Sequence, residues 1–172
     1  MKVLYMVLSF LFSLLFANAQ KRTLDHLLKK YDKTPRITVE EIQTLEDTPL
    51  LLDTRTHEEY TTSHIKHAVF TDYDTFSIDS ISKRYPNKNK SIVVYCSLGI
   101  RSDVIGEKLI THGYTNVKNL YGGIFYWKNK GYPVYNMNKQ KTDSMHVFSK
   151  KWSIWLEKGL KVHPKRKQKS EQ

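Results

Sequence analysis

The sequence contains one cysteine, Cys96, among 172 residues. A single cysteine excludes an internal disulfide and any metal or redox site built on a Cys-x-x-Cys pair. His64 and His67 have the i, i+3 spacing of a metal pair, but no further ligand set stands near them at convincing spacing. The sequence also has no P-loop, no Ser-His-Asp pattern and no nucleic-acid-binding motif. We therefore expect neither a bound metal nor a nucleic-acid partner.

The apolar run at the N-terminus, Val3–Phe16, has 14 residues, fewer than the ~20 that span a bilayer. Lys2 precedes this run, and Ala17 and Ala19 follow it in the −3 and −1 positions of a cleavage site before Gln20. This layout is typical of a secretory signal peptide over residues 1–19, with an uncleaved anchor as the alternative. We expect an exported protein, periplasmic in a Gram-negative source and otherwise secreted, with no transmembrane span in the mature chain.

The chain has 28 Lys and Arg but only 17 Asp and Glu, so its formal net charge is +11. Such an excess of positive charge can indicate binding to nucleic acid, to an anionic membrane surface or to small anionic substrates. It is equally consistent with a solvated basic surface that binds nothing in particular. Much of the excess lies near the ends of the chain, in residues 21–33 and 150–169. The length suits one domain with extensions, and 40% hydrophobic residues suffice for a core.

Cys96 stands at the end of a predicted strand, Ile92–Tyr95, before a short loop and a predicted helix from Arg101 to about His112. N–H groups at the start of a helix and the helix dipole favour negative charge, so a thiol there becomes a nucleophile more readily. Gly99 gives the loop backbone freedom, and Arg101 adds a cation suited to an oxyanion. A lone cysteine is more often an inert core residue. The loop between a strand and a helix, with its glycine and arginine, favours the nucleophile here.

Two further stretches stand on either side of this loop. One comprises Leu51–Tyr60 and His64–Ala68, and the other comprises His112–Val117, Leu120–Ile124, Trp127 and Gly131–Val134. Together with the loop Cys96-Ser97-Leu98-Gly99-Ile100-Arg101-Ser102, they resemble the motifs of the single-domain rhodaneses, in the order that this family has them. The resemblance covers residues 37–134. Ser63 and His67 depart from it, because the family generally has glycine at the first position and often at the second.

The resemblance implies a sulfurtransferase that moves a sulfane sulfur through a persulfide on Cys96. The donor would be a small anion such as thiosulfate, the acceptor a thiol or cyanide, and no metal or organic cofactor is implied. The resemblance also implies substrate binding by the loop, Ser97, Leu98, Gly99, Ile100, Arg101 and Ser102. Within it, Arg101 would hold the donor or brace the loop. Asp53, Arg55 and Glu59 are expected to support the fold beside the site.

Two other functions stay open. One is phosphatase or arsenate reductase chemistry: related cell-cycle phosphatases have five residues between the cysteine and the arginine, whereas four separate Cys96 from Arg101. The shorter loop makes a smaller cradle, better suited to sulfur than to phosphate. The other alternative is a non-turnover persulfide carrier or protein-binding module, which would contact a protein partner through residues 145–160.

Short strands that alternate with helices predict an α/β fold with a parallel sheet covered on both faces. The resemblance specifies a rhodanese-like fold with a central, mainly parallel five-stranded sheet. We divide the chain into a signal peptide (residues 1–19), an N-terminal helical extension (20–36), a rhodanese-like domain (37–135) and a basic and aromatic tail (136–172). Apolar residues of the tail recur mostly at three- and four-residue steps: Met145, Phe148, Trp152, Trp155, Leu156 and Leu160. This recurrence predicts a C-terminal amphipathic helix docked on the domain, with a helix for a membrane surface or a partner as the alternative.

Overall fold

The computed structural model describes residues 5–8 and 23–164. Residues 5–8, which are helical, are the described part of the predicted signal peptide, and the rest of it lies outside the described residues. The last part of the basic tail, residues 165–172, also lies outside them. None of the helices formed by the described residues has the length and apolar character that crossing a membrane requires.

Five parallel strands form the central sheet: β1 (Arg36–Ile37), β2 (Leu50–Asp53), β3 (Val69–Phe70), β4 (Ile92–Tyr95) and β5 (Val117–Leu120). Their order in the sheet is β1-β5-β4-β2-β3, which places β4 in the middle. Every residue of β4 is buried, as expected for a central parallel strand with elements packed on both faces. The five-stranded α/β architecture predicted from the sequence is confirmed.

Helices pack on both faces of this sheet. They are α1 (residues 23–28), α2 (Val39–Gln43), α3 (His57–Thr62), α4 (Ile78–Arg84), α5 (Ile100–Thr111) and α6 (Gly123–Asn129). Alternate residues of β4 enter two separate cores. Ile92 and Val94 belong to the core that includes residues of α4 and α5, whereas Val93 and Tyr95 belong to the one that includes residues of α1 and α6.

Reciprocal hydrogen bonds begin α2 and α3 at the capping boxes that the sequence predicts. The Thr38 hydroxyl accepts the N–H of Glu41, and the Glu41 carboxylate accepts the N–H of Thr38. Thr56 and Glu59 repeat this arrangement at the start of α3. Each box satisfies N–H groups that the first turn of a helix leaves unpaired. The second box also fixes the Glu59 carboxylate just beyond the end of β2.

The prediction of a C-terminal amphipathic helix is wrong. The described part of the tail follows β6 (Val134–Tyr135) and contains no α-helix; it forms β7 (Lys141–Thr142), β8 (Ser144–His146), a short 3-10 turn (Ser153–Trp155) and β9 (Leu160–Val162). Left-handed backbone at Lys139, Phe148 and Gly159 interrupts any continuous helix. Met145, His146 and Val147 are buried in succession, which an extended segment covered on both sides allows.

The tail packs on the domain through a segment that we call the strap, residues 143–158. Its side chains Met145, Val147 and Leu156 are fully buried in the core that also contains α6. Near its end, the carbonyl of Trp155 accepts a hydrogen bond of 2.8 Å from the Asn129 side chain of α6. The strap is therefore held by apolar burial along its length and by a polar contact near its end.

Candidate active site

Cys96 directly follows β4 at the carboxyl end of the sheet, where sites of parallel α/β proteins lie. Gly99 has a φ of +98° and turns the chain into α5, which begins at the next residue. Its N–H donates to Sγ of Cys96 over 3.2 Å. The side chain of Cys96 is fully buried. The loop thus holds the sulfur against an N–H donor at the N-terminus of α5.

Asn119 of β5 anchors the loop from one side. Its amide donates to the carbonyl of Gly99 over 2.8 Å and accepts the Ser102 hydroxyl over 2.7 Å. Ser102 therefore points towards β5, and Leu98 is buried in the core. Both side chains anchor the loop, so any substrate contact must come from their backbone. Sequence reasoning missed Asn119, because β5 also contains Lys118 and no local signal marks the asparagine as an anchor of the loop.

The start of α6 supports the loop from a second side. The N–H of Ile124 donates to the carbonyl of Cys96 over 2.9 Å, and the N–H of Phe125 donates to that of Ser97 over 3.2 Å. Gly123 lies at this junction with a φ of +57°. A glycine at this position lets the backbone of α6 pack closely against the loop.

Gly123→Ala is expected to destabilise the protein and to displace the Cys96 loop. A Cβ at this position would lie 2.7 Å from the carbonyl oxygen of Ser97 and even nearer to that of Cys96. Because the obstacles are backbone atoms, no side-chain rotation relieves the collision. We expect the free energy of unfolding to fall by about 3 kcal/mol, as measured by urea denaturation. Gly131→Ala is the control, because its φ is +87° but nothing lies within 4 Å of its Cβ. Equal losses in the two variants would contradict the packing argument.

Arg101 and Glu59 form a bidentate ion pair beside the cysteine. Nη1 donates to Oε2 and Nη2 donates to Oε1, each over 2.8 Å. The hydroxyl of Ser97 donates to Oε1 over 2.6 Å. The Glu59 side chain is fully buried, and only 10% of the Arg101 side chain is exposed. Of the two roles considered for Arg101, this geometry favours bracing of the loop.

Both members of this pair are ionised. Burial alone would raise the pKa of Glu59, but the hydrogen bonds and charge of Arg101, with the charge of Arg55, hold that pKa at about 2. Burial also disfavours the Arg101 cation, yet the hydrogen bond to Glu59 and the negative charge of Cys96 raise its pKa. Arg101 therefore stays a cation within the loop that holds Cys96.

Acid is expected to destabilise the protein through Glu59. The pKa of this carboxyl is about 2 in the folded state, against an ordinary value of 4.5. Because the pKa of Glu59 is lower in the folded state, its ionised carboxylate stabilises the fold fully at pH values above the ordinary pKa. This stabilisation is lost as the pH falls towards and through the pKa of the folded state. The loss amounts to about 3 kcal/mol between about pH 5 and pH 2. Urea denaturation of the wild type across this range should show the loss, and Glu59→Gln should show a much shallower dependence. Identical pH profiles would contradict the assignment.

Asp53 and Arg55 form a second ion pair, at the end of β2, with both side chains fully buried. Nε of Arg55 donates to Oδ1 of Asp53 over 2.9 Å, and Nη2 donates to Oδ2 over 2.7 Å. Nη2 also donates to the carbonyl of Ser63 over 2.6 Å. Asp53 is the register partner of Tyr95, the residue before Cys96. The pair thus connects β2 with the turn after α3, next to the loop.

The strap reaches this site, which sequence reasoning did not foresee because it assigned these residues to a helix. The ring centroid of Phe148 lies 4.6 Å from Cζ of Arg101, and the ring centroid of Trp152 lies 5.8 Å from the same atom. Nδ1 of His146 accepts the N–H of Phe148 over 3.2 Å, and its Nε2 lies 3.7 Å from the Glu58 carboxylate. The site is therefore built from the loop, α3 and the strap.

His64 and His67 have other environments than a metal site. The His64 ring stacks on Tyr60 with a centroid distance of 4.2 Å, and its Nδ1 lies 3.1 Å from the Tyr60 carbonyl. His67 occupies a left-handed turn with a φ of +62°. Across residues 5–8 and 23–164, no cluster of His, Cys, Asp and Glu has the arrangement needed to hold a metal ion.

Comparison with protein families gives a match to the rhodanese-like domain over residues 38–130, more than half of the chain. The tRNA uridine(34) hydroxylase of Hamiltonella defensa is 33% identical over 100 residues, which cover 52% of this chain and 27% of that protein. The tRNA uridine(34) hydroxylase of Photorhabdus laumondii is 31% identical over 99 residues, 55% of this chain and 28% of that protein. The chain thus spans about a quarter of the length of these curated relatives.

The fold is also that of solved structures from Pseudomonas aeruginosa and Anabaena. The thiosulfate sulfurtransferase of Pseudomonas aeruginosa superposes with a TM-score of 0.56 and 23% identity, covering 72% of this chain and 24% of that one. A rhodanese-like domain from Anabaena superposes with a TM-score of 0.54 and 23% identity, covering 60% of this chain and 80% of that one. At this identity the likeness concerns the fold alone.

Proposed function

The chain belongs to the rhodanese-like domain family, and from this premise we propose that it is a sulfurtransferase with Cys96 as its nucleophile. The observation that carries the proposal is the contact between the Gly99 N–H and Sγ of Cys96, 3.2 Å long, at the start of α5. We propose a small anionic donor such as thiosulfate and a thiol or cyanide as acceptor.

The reaction would proceed in two steps. The Cys96 thiolate attacks the outer sulfur of thiosulfate; a bond forms between the two sulfurs, the bond to the sulfonate sulfur breaks, and its electron pair leaves with sulfite. The persulfide on Cys96 then carries the negative charge on its terminal sulfur. The acceptor attacks that sulfur, and the Cys96 thiolate is released. A covalent intermediate between two substrates predicts ping-pong kinetics.

The chain's own residues would serve these steps by holding charge in fixed positions. The Gly99 N–H and the dipole of α5 stabilise an anionic sulfur without reorganisation. Arg101 contributes its positive charge while its Nη atoms stay bound to Glu59. The loop from Cys96 to Arg101 is one residue shorter than that of the cell-cycle phosphatases and makes a smaller cradle, so we do not propose phosphatase or arsenate reductase chemistry.

A non-turnover persulfide carrier is the second candidate, and exposed residues of the tail favour it. Ile154 is 67% exposed and Leu160 is 68% exposed. Lys150, Lys151 and Lys158 are exposed in the same stretch. Apolar side chains among lysines would suit an acidic protein surface, so a partner of the carrier would bind within residues 145–160.

We also propose that the mature protein works outside the cytosol. Support comes from Lys2, the apolar run Val3–Phe16 and the small residues Ala17 and Ala19 before Gln20. Burial of Cys96 would protect its thiol in an oxidising compartment. Intact mass of the protein recovered from the exported fraction tests this, since cleavage should leave Gln20 as the first residue.

The function is tested by treating protein that begins at Gln20 with thiosulfate and then with cyanide. We expect intact mass to show one added sulfur atom after the first step, and thiocyanate to form on turnover. A mass shift without turnover would favour the carrier. Neither signal, in folded protein with a reduced thiol, would refute thiosulfate as the donor.

A further inference from the structure

The strap lies beyond the match to the rhodanese-like domain, which ends at residue 130, yet it contacts the active-site loop. Phe148 and Trp152 both lie against the guanidinium of Arg101. Arg101 hydrogen-bonds Ser97, the residue after Cys96, over 3.1 Å. The two aromatic rings therefore stand at the edge of the loop that holds the sulfur.

Several contacts fix the rings in this place. Phe148 adopts a φ of +56°, a conformation that costs free energy in a residue with a side chain and persists only where its surroundings impose it. The two residues just before it, His146 and Val147, are buried, and Nδ1 of His146 accepts the Phe148 N–H. The rings of Phe148 and Trp152 also pack on each other, with centroids 4.9 Å apart.

We propose that Phe148 and Trp152 are specificity-determining residues that wall the approach to Cys96 and restrict it to small reaction partners. This inference rests on the proposed function for its biological meaning. Cyanide and small thiolates would pass the wall, whereas glutathione and protein thiols would be disfavoured. Rigid aromatic rings suit this role, because they cover a large area with little freedom to move aside.

The single cysteine permits a test that does not depend on sulfur transfer. Alkylation of Cys96 by iodoacetamide and by a bulky polyethylene-glycol maleimide would be followed by intact mass in the wild type, Phe148→Ala and Trp152→Ala. We expect the rate with the bulky reagent, relative to the small one, to rise about tenfold in each variant, the order of effect that pocket size has on discrimination. Ile154→Ala is the control, because that side chain is 67% exposed.

Sulfur transfer supplies the second measurement. The ratio of kcat/KM for glutathione to that for cyanide should rise by a similar factor in Phe148→Ala and Trp152→Ala. Urea denaturation and circular dichroism must show that each variant is folded. If a variant does not fold, Phe148→Leu is measured in its place. If folded variants show neither a changed ratio of alkylation rates nor a changed ratio of kcat/KM values, the proposal that Phe148 and Trp152 restrict access to Cys96 is wrong. If the wild type forms no persulfide with thiosulfate but the alkylation ratio shifts, the proposed reaction with thiosulfate fails, and the proposal that Phe148 and Trp152 restrict access to Cys96 stands.

Discussion

Cys96→Ser is expected to abolish persulfide formation and to lower thiocyanate production by roughly a thousandfold or more, as losses of a catalytic nucleophile do. Serine keeps the size of the side chain but is a far weaker nucleophile near neutral pH, since its hydroxyl does not ionise there. Cys96 is the single cysteine of the chain, so no neighbouring thiol is available to take over the reaction. Intact mass after thiosulfate treatment and the thiocyanate assay measure the two effects.

Two observations make the result interpretable. The urea midpoint of Cys96→Ser should stay close to that of the wild type, because the substitution removes one weak acceptor of the Gly99 N–H and supplies another. The mass of the wild type treated in parallel shows that the donor was competent. Turnover that survived in the serine variant would contradict Cys96 as nucleophile and would leave the fold without an assigned activity.

Much of the fold was predictable because its signals are local. The run Ile92–Tyr95 is apolar throughout, as a central parallel strand must be, and it places Cys96 at the carboxyl end of the sheet. Thr38 and Thr56 begin helices through hydrogen bonds that reach only three residues along the chain. Such patterns need no knowledge of distant residues.

Contacts between distant residues were not predictable in the same way. Asn119 hydrogen-bonds Gly99, which is 20 residues away in the sequence, and Glu59 hydrogen-bonds Arg101, which is 42 residues away. Sequence reasoning placed Asp53, Arg55 and Glu59 beside the site, but it did not say which acid pairs with which base. Only the sheet register, which sets Asp53 opposite Tyr95, brings α3 next to the loop.

The strap shows how a period can mislead. Apolar residues at three- and four-residue steps predict a helix only if the backbone stays in one conformation. Here Phe148 and Gly159 take left-handed conformations, and the residues between them form a 3-10 turn and irregular segments. The apolar residues still pack on the domain, so the composition indicated burial correctly while the spacing gave the wrong element.

Removing either member of the Glu59–Arg101 pair is expected to destabilise the protein by about 3–5 kcal/mol, because the remaining charge stays buried without its partner. Glu59→Ala and Arg101→Ala should therefore each lower the free energy of unfolding substantially. The double variant should lose clearly less than the sum of the two, since it leaves neither charge behind. A double-mutant cycle by urea denaturation measures this coupling, which we expect to be about 2 kcal/mol.

The exposed pair Lys33–Glu107 is the matched control. Its atoms approach to 2.7 Å, but the side chains are 60% and 39% exposed. Water screens such a pair, so its cycle should give a coupling near zero despite the shorter distance. Burial, and not distance, would then explain why Glu59 and Arg101 are coupled. Equal coupling in the two cycles would contradict this account, and additive losses at Glu59 and Arg101 would show that the pair does not brace the loop that holds Cys96.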